Sequence, residues 1–118
     1  MHELSIAQEI LSIVKASLPT PEAKVVAIRL KIGQLSGVLV DSLKFSFEAI
    51  TSQTYFEGAQ LEITEVPIKI KCNECSKLNI ITEPIFLCPE CNSFNVQLLE
   101  GRELEIVEIE IEDNLEEI

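Results

Sequence analysis

Four cysteines, arranged as two CxxC pairs, constrain the fold of this chain more than any other feature of its sequence. The pairs are CNEC, with Cys72 and Cys75, and CPEC, with Cys88 and Cys91, and the chain has no other cysteine. A CxxC segment turns the backbone so that both sulfurs face one point, and two such segments supply four soft ligands for a tetrahedral metal site. The gap between the pairs is slightly shorter than the ~15–20 residues that such patterns usually have, but a small ribbon can close it. The spacing therefore predicts a metal-bound ribbon.

Disulfides, a redox dithiol and an iron centre are the alternatives to structural zinc. We expect a cytosolic chain, because its start lacks a basic region and no apolar run approaches the ~20 residues of a membrane span. A reducing compartment disfavours disulfides, and a redox CxxC would not need a second pair. We favour zinc over iron, although a rubredoxin-like iron centre would use similar ligands. With four sulfur ligands the site has no open position for water, so it is predicted to be structural.

The helical segments of the sequence lie in its first half. Residues 5–18 have apolar side chains at helical spacing, and Ser5 with Gln8 forms a capping box that predicts a helix start at Ser5. Asp41 is predicted to cap a second helix, which should fade before Gly58.

The strand segments alternate between apolar and polar residues. Residues 24–33 are predicted as a half-buried strand. Longer strands are predicted over residues 60–71 and 96–112, one on each side of the cysteines, with Pro67 marking an edge or a bulge. The predicted fold class is α+β: a small sheet covered by two helices, with a zinc-ribbon module inserted between two long antiparallel strands.

The charge of the chain is concentrated at its carboxyl end. The formal net charge is -11, and residues 100–118 hold nine acidic residues and one basic residue. This balance repels phosphate backbones, and the last residues are expected to be a solvated, disordered tail. The ribbon itself is neutral, because residues 68–95 contain three lysines and three glutamates. Nucleic-acid binding is therefore not expected.

The single histidine of the chain is residue 2, beside the amino terminus. A free α-amine has a pKa of about 7.7–8.0, so a metal can displace its proton near neutral pH. The Met1 amine, the His2 backbone nitrogen and the His2 imidazole can close fused chelate rings in one plane, which suits Ni(II) or Cu(II). A fourth ligand would be the backbone nitrogen or carboxylate of Glu3, or a side chain from elsewhere. Taken alone, a histidine at position 2 is better explained by chance.

Four features together resemble the HypA/HybF family along essentially the whole chain. They are MHELSIAQEI at the start, LKIGQLSGV in the middle, the two CxxC pairs and the acidic final strand. The family consists of nickel metallochaperones for NiFe-hydrogenase maturation. The resemblance implies a nickel-binding α/β domain, here residues 1–70 with 97–118, and a zinc-ribbon domain, here residues 71–96.

The resemblance also implies which residues bind each metal. The zinc ligands would be the four cysteines, and the nickel ligands would be Met1 and His2, with Glu3 adjacent. Many members carry an acidic residue where this chain has residues 39–40. The nearest acid here is Asp41, which is a candidate outer or fourth nickel ligand, and a role as a helix cap explains it at least as well.

The predicted function is therefore transient binding of Ni(II) and its delivery to NiFe-hydrogenase, or to urease, with Zn(II) as a structural ion. The resemblance implies a HypB-type GTPase and the hydrogenase large subunit as partners, and a homo-oligomer is compatible with the sequence. No nucleic-acid or membrane partner is expected, and the expected compartment is the cytoplasm. An enzyme is not expected, because no nucleophile–base pair can be built around a histidine other than His2 and no phosphate loop is present. The alternative is a zinc-ribbon protein-binding or nucleic-acid-binding module without nickel function.

Overall fold

The computed structural model describes residues 3–112, whose helices and strands confirm the predicted α+β class. In chain order the elements are α1 (Glu3–Ser17), β1 (Val25–Gly33), a 3-10 helix (Gln34–Ser36), α2 (Val40–Thr51), β2 (Gln60–Val66), β3 (Ile68–Cys72), β4 (Leu78–Ile81), β5 (Val96–Glu100) and β6 (Leu104–Ile111). The strands form two three-stranded sheets, with the order β2-β1-β6 in one and β4-β3-β5 in the other.

The described residues separate into two compact units. Residues 3–30, 38–63 and 106–112 form the helical unit, and residues 31–37 and 64–105 form the ribbon unit. Both helices belong to the helical unit, whereas all four cysteines belong to the ribbon unit.

The helices of the helical unit contact each other and bury one face each. In α1 the buried residues recur one helical turn apart, as expected for an amphipathic helix; they are Ile6, Ala7, Ile10 and Val14. In α2 they are spaced four apart; they are Leu43, Phe47 and Thr51. Burial of a large side chain such as Phe47 contributes about 1.5–3 kcal/mol, so these two faces are a main source of stability for this unit.

The two predicted helix starts are wrong, and one contact explains the second. Helix α1 begins at Glu3, so Ser5 lies inside the helix and is not its cap. Helix α2 begins at Val40 with Leu39 at the N-cap position, and Asp41 lies in the first turn without capping it. The backbone N–H of Leu39 donates to Oε2 of Glu3 at 3.0 Å. A carboxylate from another helix thus binds the N-cap N–H, as the glutamate of a capping box would do locally.

The two long strands that flank the cysteines are each divided in two. Pro67 cannot donate to a ladder, so β2 ends just before it and β3 begins just after it. Gly101 has φ of +130° and separates β5 from β6. As a result, the flanking strands pair antiparallel in their β3 and β5 parts, while β1 lies between β2 and β6.

Arg29 links the three strands of the first sheet on its exposed side. Its guanidinium lies 2.7 Å from Glu110 and 3.5 Å from Glu108 on β6, and 2.9 Å from Glu62 on β2. The hydrogen bonds to Glu110 and then to Glu62 raise the pKa of Arg29. Because these groups are exposed to solvent, the network contributes little to stability, but it pairs part of the acidic last strand with a cation.

Candidate metal centre

The four cysteine sulfurs converge on one point in the ribbon unit. Sγ of Cys72 lies 3.6 Å from Sγ of Cys91, and Sγ of Cys75 lies 3.6 Å from Sγ of Cys88. All four sulfurs lie within 4.8 Å of one another, and none is in a disulfide. A tetrahedral ion with metal–sulfur distances of ~2.3 Å requires sulfur–sulfur distances of roughly 3.8 Å. The cluster therefore fits one tetrahedral zinc ion.

The two CxxC turns have the same backbone construction. We call residues 72–77 the first knuckle and residues 88–93 the second knuckle. In each, the N–H of the first residue donates to the carbonyl of the sixth at 2.9 Å, and the N–H of the fifth donates back to the carbonyl of the first, at 3.0 Å in one knuckle and 2.8 Å in the other. The fifth residues, Ser76 and Asn92, have φ of 67° and 63°, a left-handed conformation that asparagine adopts more readily than serine.

The thiols of the cluster differ in acidity before a metal binds. Sγ of Cys72 accepts N–H groups from Cys75 at 3.4 Å and from Glu74 at 3.3 Å. The N–H of Cys75 has the largest effect on the pKa of Cys72 and lowers it. Burial raises this pKa and the N–H of Glu74 lowers it, and the resulting pKa is about 7. For Cys91 the N–H of Ser93 acts in the same direction, but the thiol of Cys72 and burial outweigh it and raise the pKa to about 12. The thiol of Cys72 is therefore more acidic than the thiol of Cys91.

The four cysteines differ in burial. Cys72 and Cys88 are buried, Cys75 is half-buried and Cys91 is exposed. A bound ion would thus be shielded on one side and reachable at Cys91 on the other. An ion held by all four thiolates would have no position left for a substrate or a water ligand.

A polar network that the sequence analysis missed connects the two knuckles. The side chain of Asn95, just after the second knuckle, bonds to Asn73 at 3.0 Å and to Glu74 at 2.9 Å, both in the first knuckle. The backbone N–H of Asn73 also donates to the carbonyl of Asn95 at 2.9 Å. No sequence signal pointed to these residues, because asparagine beside a CxxC pair has no fixed role.

The predicted nickel ligands are placed only in part. Met1 and His2 lie outside the described residues. Glu3 is the first residue of α1 and accepts the N–H of Leu39. Asp41 is exposed in the first turn of α2, two residues after Leu39. The Glu3 contact therefore connects the residue that follows His2 with the turn that holds Asp41.

Neither helix in the described part of the chain has the length and apolarity that a membrane span requires.

Comparisons with known proteins agree on one family. Residues 1–111 match the family model HypA, described as hydrogenase/urease nickel incorporation, metallochaperone. A hydrogenase maturation factor HypA from Desulfatibacillum aliphaticivorans is 41% identical over 115 residues, covering 96% of this chain and 88% of the relative. Another hydrogenase maturation factor HypA, from Chloroflexus aurantiacus, is 43% identical over 114 residues, covering 93% of this chain and 98% of the relative.

A solved structure gives the same result for the fold. The solution structure of the Ni metallochaperone HypA from Helicobacter pylori superposes with a TM-score of 0.62 at 22% identity, covering 94% of this chain and 97% of that one. At this identity the likeness supports the fold alone.

Proposed function

The chain belongs to the HypA family of hydrogenase and urease nickel-incorporation metallochaperones, and we propose that it carries Ni(II) at its amino terminus to a NiFe-hydrogenase precursor. It is a maturation factor and not an enzyme. In this proposal the Met1 amine, the His2 backbone nitrogen and the His2 imidazole are three of the nickel ligands. Planar nitrogen donors suit Ni(II), and ligands at a chain end can open for transfer more easily than buried ones.

The contact between Glu3 and Leu39 is the observation that supports this site most. It ties the first residue of α1 to the N-terminus of α2, which gives the two preceding residues a fixed point of attachment. It also bears on the fourth ligand. Because Oε2 of Glu3 already accepts the Leu39 N–H, the carboxylate would have to bind nickel through its other oxygen, and we favour the Glu3 backbone nitrogen or Asp41 as the fourth ligand.

We assign Zn(II) to the four cysteines. The sulfur–sulfur distances match a tetrahedral ion, and four thiolates are the donor set of structural zinc sites. The zinc holds the ribbon and takes no part in transfer. The proposed nickel-binding domain is residues 1–70 with 97–118, and the proposed zinc-ribbon domain is residues 71–96.

The proposed partners are a HypB-type GTPase and the hydrogenase large subunit, acting in the cytoplasm. Hydrogenase maturation is the function named for the relatives, and a carrier needs both a source of metal and a client. Delivery to urease is the second candidate, which the family description supports.

A nickel titration of the untagged chain tests the proposed site. The comparison is with a variant that has one residue added before Met1, which moves the amine out of chelate range. We expect the extended variant and His2→Ala to lose tight nickel binding while both keep zinc. Equal nickel affinity in the extended and native chains would exclude the amino-terminal site.

Two further variants separate the two metals and the role of Glu3. Cys72→Ala should lose zinc, and loss of zinc in His2→Ala would show that the sites are not separable. Glu3→Gln keeps an acceptor for the Leu39 N–H, so it should keep nickel affinity within about threefold. A loss of nickel binding in Glu3→Gln as severe as in His2→Ala would instead assign the carboxylate as a ligand.

A further inference from the structure

We propose that Asn95 clamps the second knuckle to the first and thereby sets how fast the ribbon releases its metal. The inference rests on metal occupancy of the four-cysteine cluster proposed above. It does not depend on the amino-terminal nickel site.

Three hydrogen bonds form the clamp. Oδ1 of Asn95 accepts Nδ2 of Asn73 at 3.0 Å, and Nδ2 of Asn95 donates to Oε2 of Glu74 at 2.9 Å. The carbonyl of Asn95 accepts the N–H of Asn73 at 2.9 Å. Asn95 is itself held by Ser93, whose Oγ accepts its N–H at 3.0 Å. One planar amide thus uses both its donor and its acceptor on the opposite knuckle, and one of the two bonds is strengthened by a carboxylate.

The clamp acts where the cluster opens. Each knuckle supplies two sulfurs, and the two sulfur contacts of 3.6 Å, Cys72 with Cys91 and Cys75 with Cys88, both cross from one knuckle to the other. A bound ion would bridge the knuckles, so movement of the knuckles away from each other favours its release. The exposed ligand is Cys91, and Asn95 follows it by four residues. Release that starts at Cys91 would have to carry the segment of Asn95 away from the first knuckle.

The clamp uses the glutamate of the first knuckle only, so the glutamate of the second knuckle provides a matched control. Glu90 has the same place in the second knuckle as Glu74 in the first, because each directly precedes the second cysteine of its pair. Both glutamates are exposed. Among the described residues, Glu74 has a hydrogen bond to Asn95, whereas Glu90 makes no side-chain hydrogen bond or ion pair. Removal of either carboxylate takes one negative charge from its knuckle, and only removal of the Glu74 carboxylate also breaks a hydrogen bond to Asn95.

The test is the rate of zinc transfer from the full-length, zinc-loaded chain to an excess of a chromogenic chelator. We expect Asn95→Ala to release zinc about three to ten times faster than the native chain, because two side-chain bonds between the knuckles are lost. Glu74→Ala should also accelerate release, whereas Glu74→Gln, which keeps the acceptor, and Glu90→Ala should release at the native rate. The visible spectrum of the Co(II)-loaded variants should stay that of a tetrahedral four-sulfur site.

Each outcome decides for or against the clamp. Native-rate release from Asn95→Ala overturns it, as does equal acceleration by Glu74→Ala and Glu90→Ala. If Asn95→Ala fails to hold zinc at all, the test is the comparison of the zinc-release rates of Glu74→Ala and Glu90→Ala. If the native chain holds no zinc, the proposed zinc assignment fails and the clamp fails with it; equal release rates from a zinc-loaded chain refute the clamp only.

Discussion

Replacement of Gly33 by alanine is expected to be among the most damaging single-methyl changes in this chain. A Cβ on Gly33 would lie 2.6 Å from the backbone nitrogen of Arg102 and still closer to the carbonyl of Gly101. The φ of Gly33 is -77°, which any residue adopts, so the glycine is needed for space and not for its conformation. Since the atoms that it meets are backbone atoms, no side chain can move aside.

The magnitude follows from what the two segments must give up to separate. The N–H of Gly33 donates to the carbonyl of Glu103 and the N–H of Leu35 donates to the carbonyl of Gly101, both at 2.7 Å. Loss of two such bonds costs ~1 kcal/mol each, and overpacking adds ~1–3 kcal/mol. We expect a total of about 3–5 kcal/mol, a large part of the ~5–15 kcal/mol that keeps a typical domain folded.

Urea unfolding of the zinc-saturated chain, followed by far-ultraviolet circular dichroism, measures this loss. Gly37→Ala is the matched control, because Gly37 lies in the same segment, has φ of +79° and has nothing within 4 Å of the position that a Cβ would occupy. Its cost should be only the ~1–2 kcal/mol of a left-handed alanine. A loss in Gly33→Ala no larger than that in Gly37→Ala would refute the steric argument.

Three further predictions concern the core and the metal centre. Phe47 lies in the buried face of α2, so Phe47→Ala should lower the free energy of unfolding by about 3–5 kcal/mol. Phe45 is 72% exposed on the same helix, so Phe45→Ala should change that free energy by less than about 0.5 kcal/mol. Similar losses in the two variants would contradict the assignment of Phe47 to the buried face. Removal of the metal with a chelator should collapse the amide chemical-shift dispersion of residues 72–95 and leave the helices largely intact, and unchanged dispersion there would show that the ribbon folds without metal. Because the pKa values of Cys75 and Cys91 are raised, zinc must displace at least two protons near neutral pH. Its apparent affinity should then fall at least about 100-fold per unit as the pH is lowered below 7, and a slope of less than tenfold in competition titrations would contradict this ligand set.

The features that depend on residue type and short spacing were predictable from the sequence. The four cysteines were identified as one cluster because a metal site requires four soft ligands, and the CxxC spacing brings two of them together locally. The helices and strands were predicted because their apolar residues recur with the periods of each element. Pro67 was recognised as a break because proline cannot donate to a ladder, whatever surrounds it.

The features that depend on distant contacts were not predictable. The start of α2 was assigned to Asp41 because acids favour helix starts, but the N-cap N–H is bound by Glu3, 36 residues earlier in the chain. The break at Gly101 was missed because residues 96–112 were predicted as one strand, although φ of +130° at Gly101 separates β5 from β6. The sequence identifies Gly33 only as the end of a strand, since nothing local shows that the backbone of Gly101 and Arg102 passes against it.

Two pairs of identical residues show where sequence patterns stop being informative. Glu74 and Glu90 each directly precede the second cysteine of a CxxC pair, yet only Glu74 is bonded across the knuckles. Gly33 and Gly37 lie in one short motif, yet the first is required for space and the second for a left-handed turn. Clustering of the four cysteines depends on residue type and spacing, so a pattern is enough to predict it. How tightly the ligands are held depends on which neighbours the fold brings against them, so metal release has to be derived from contacts such as those of Asn95.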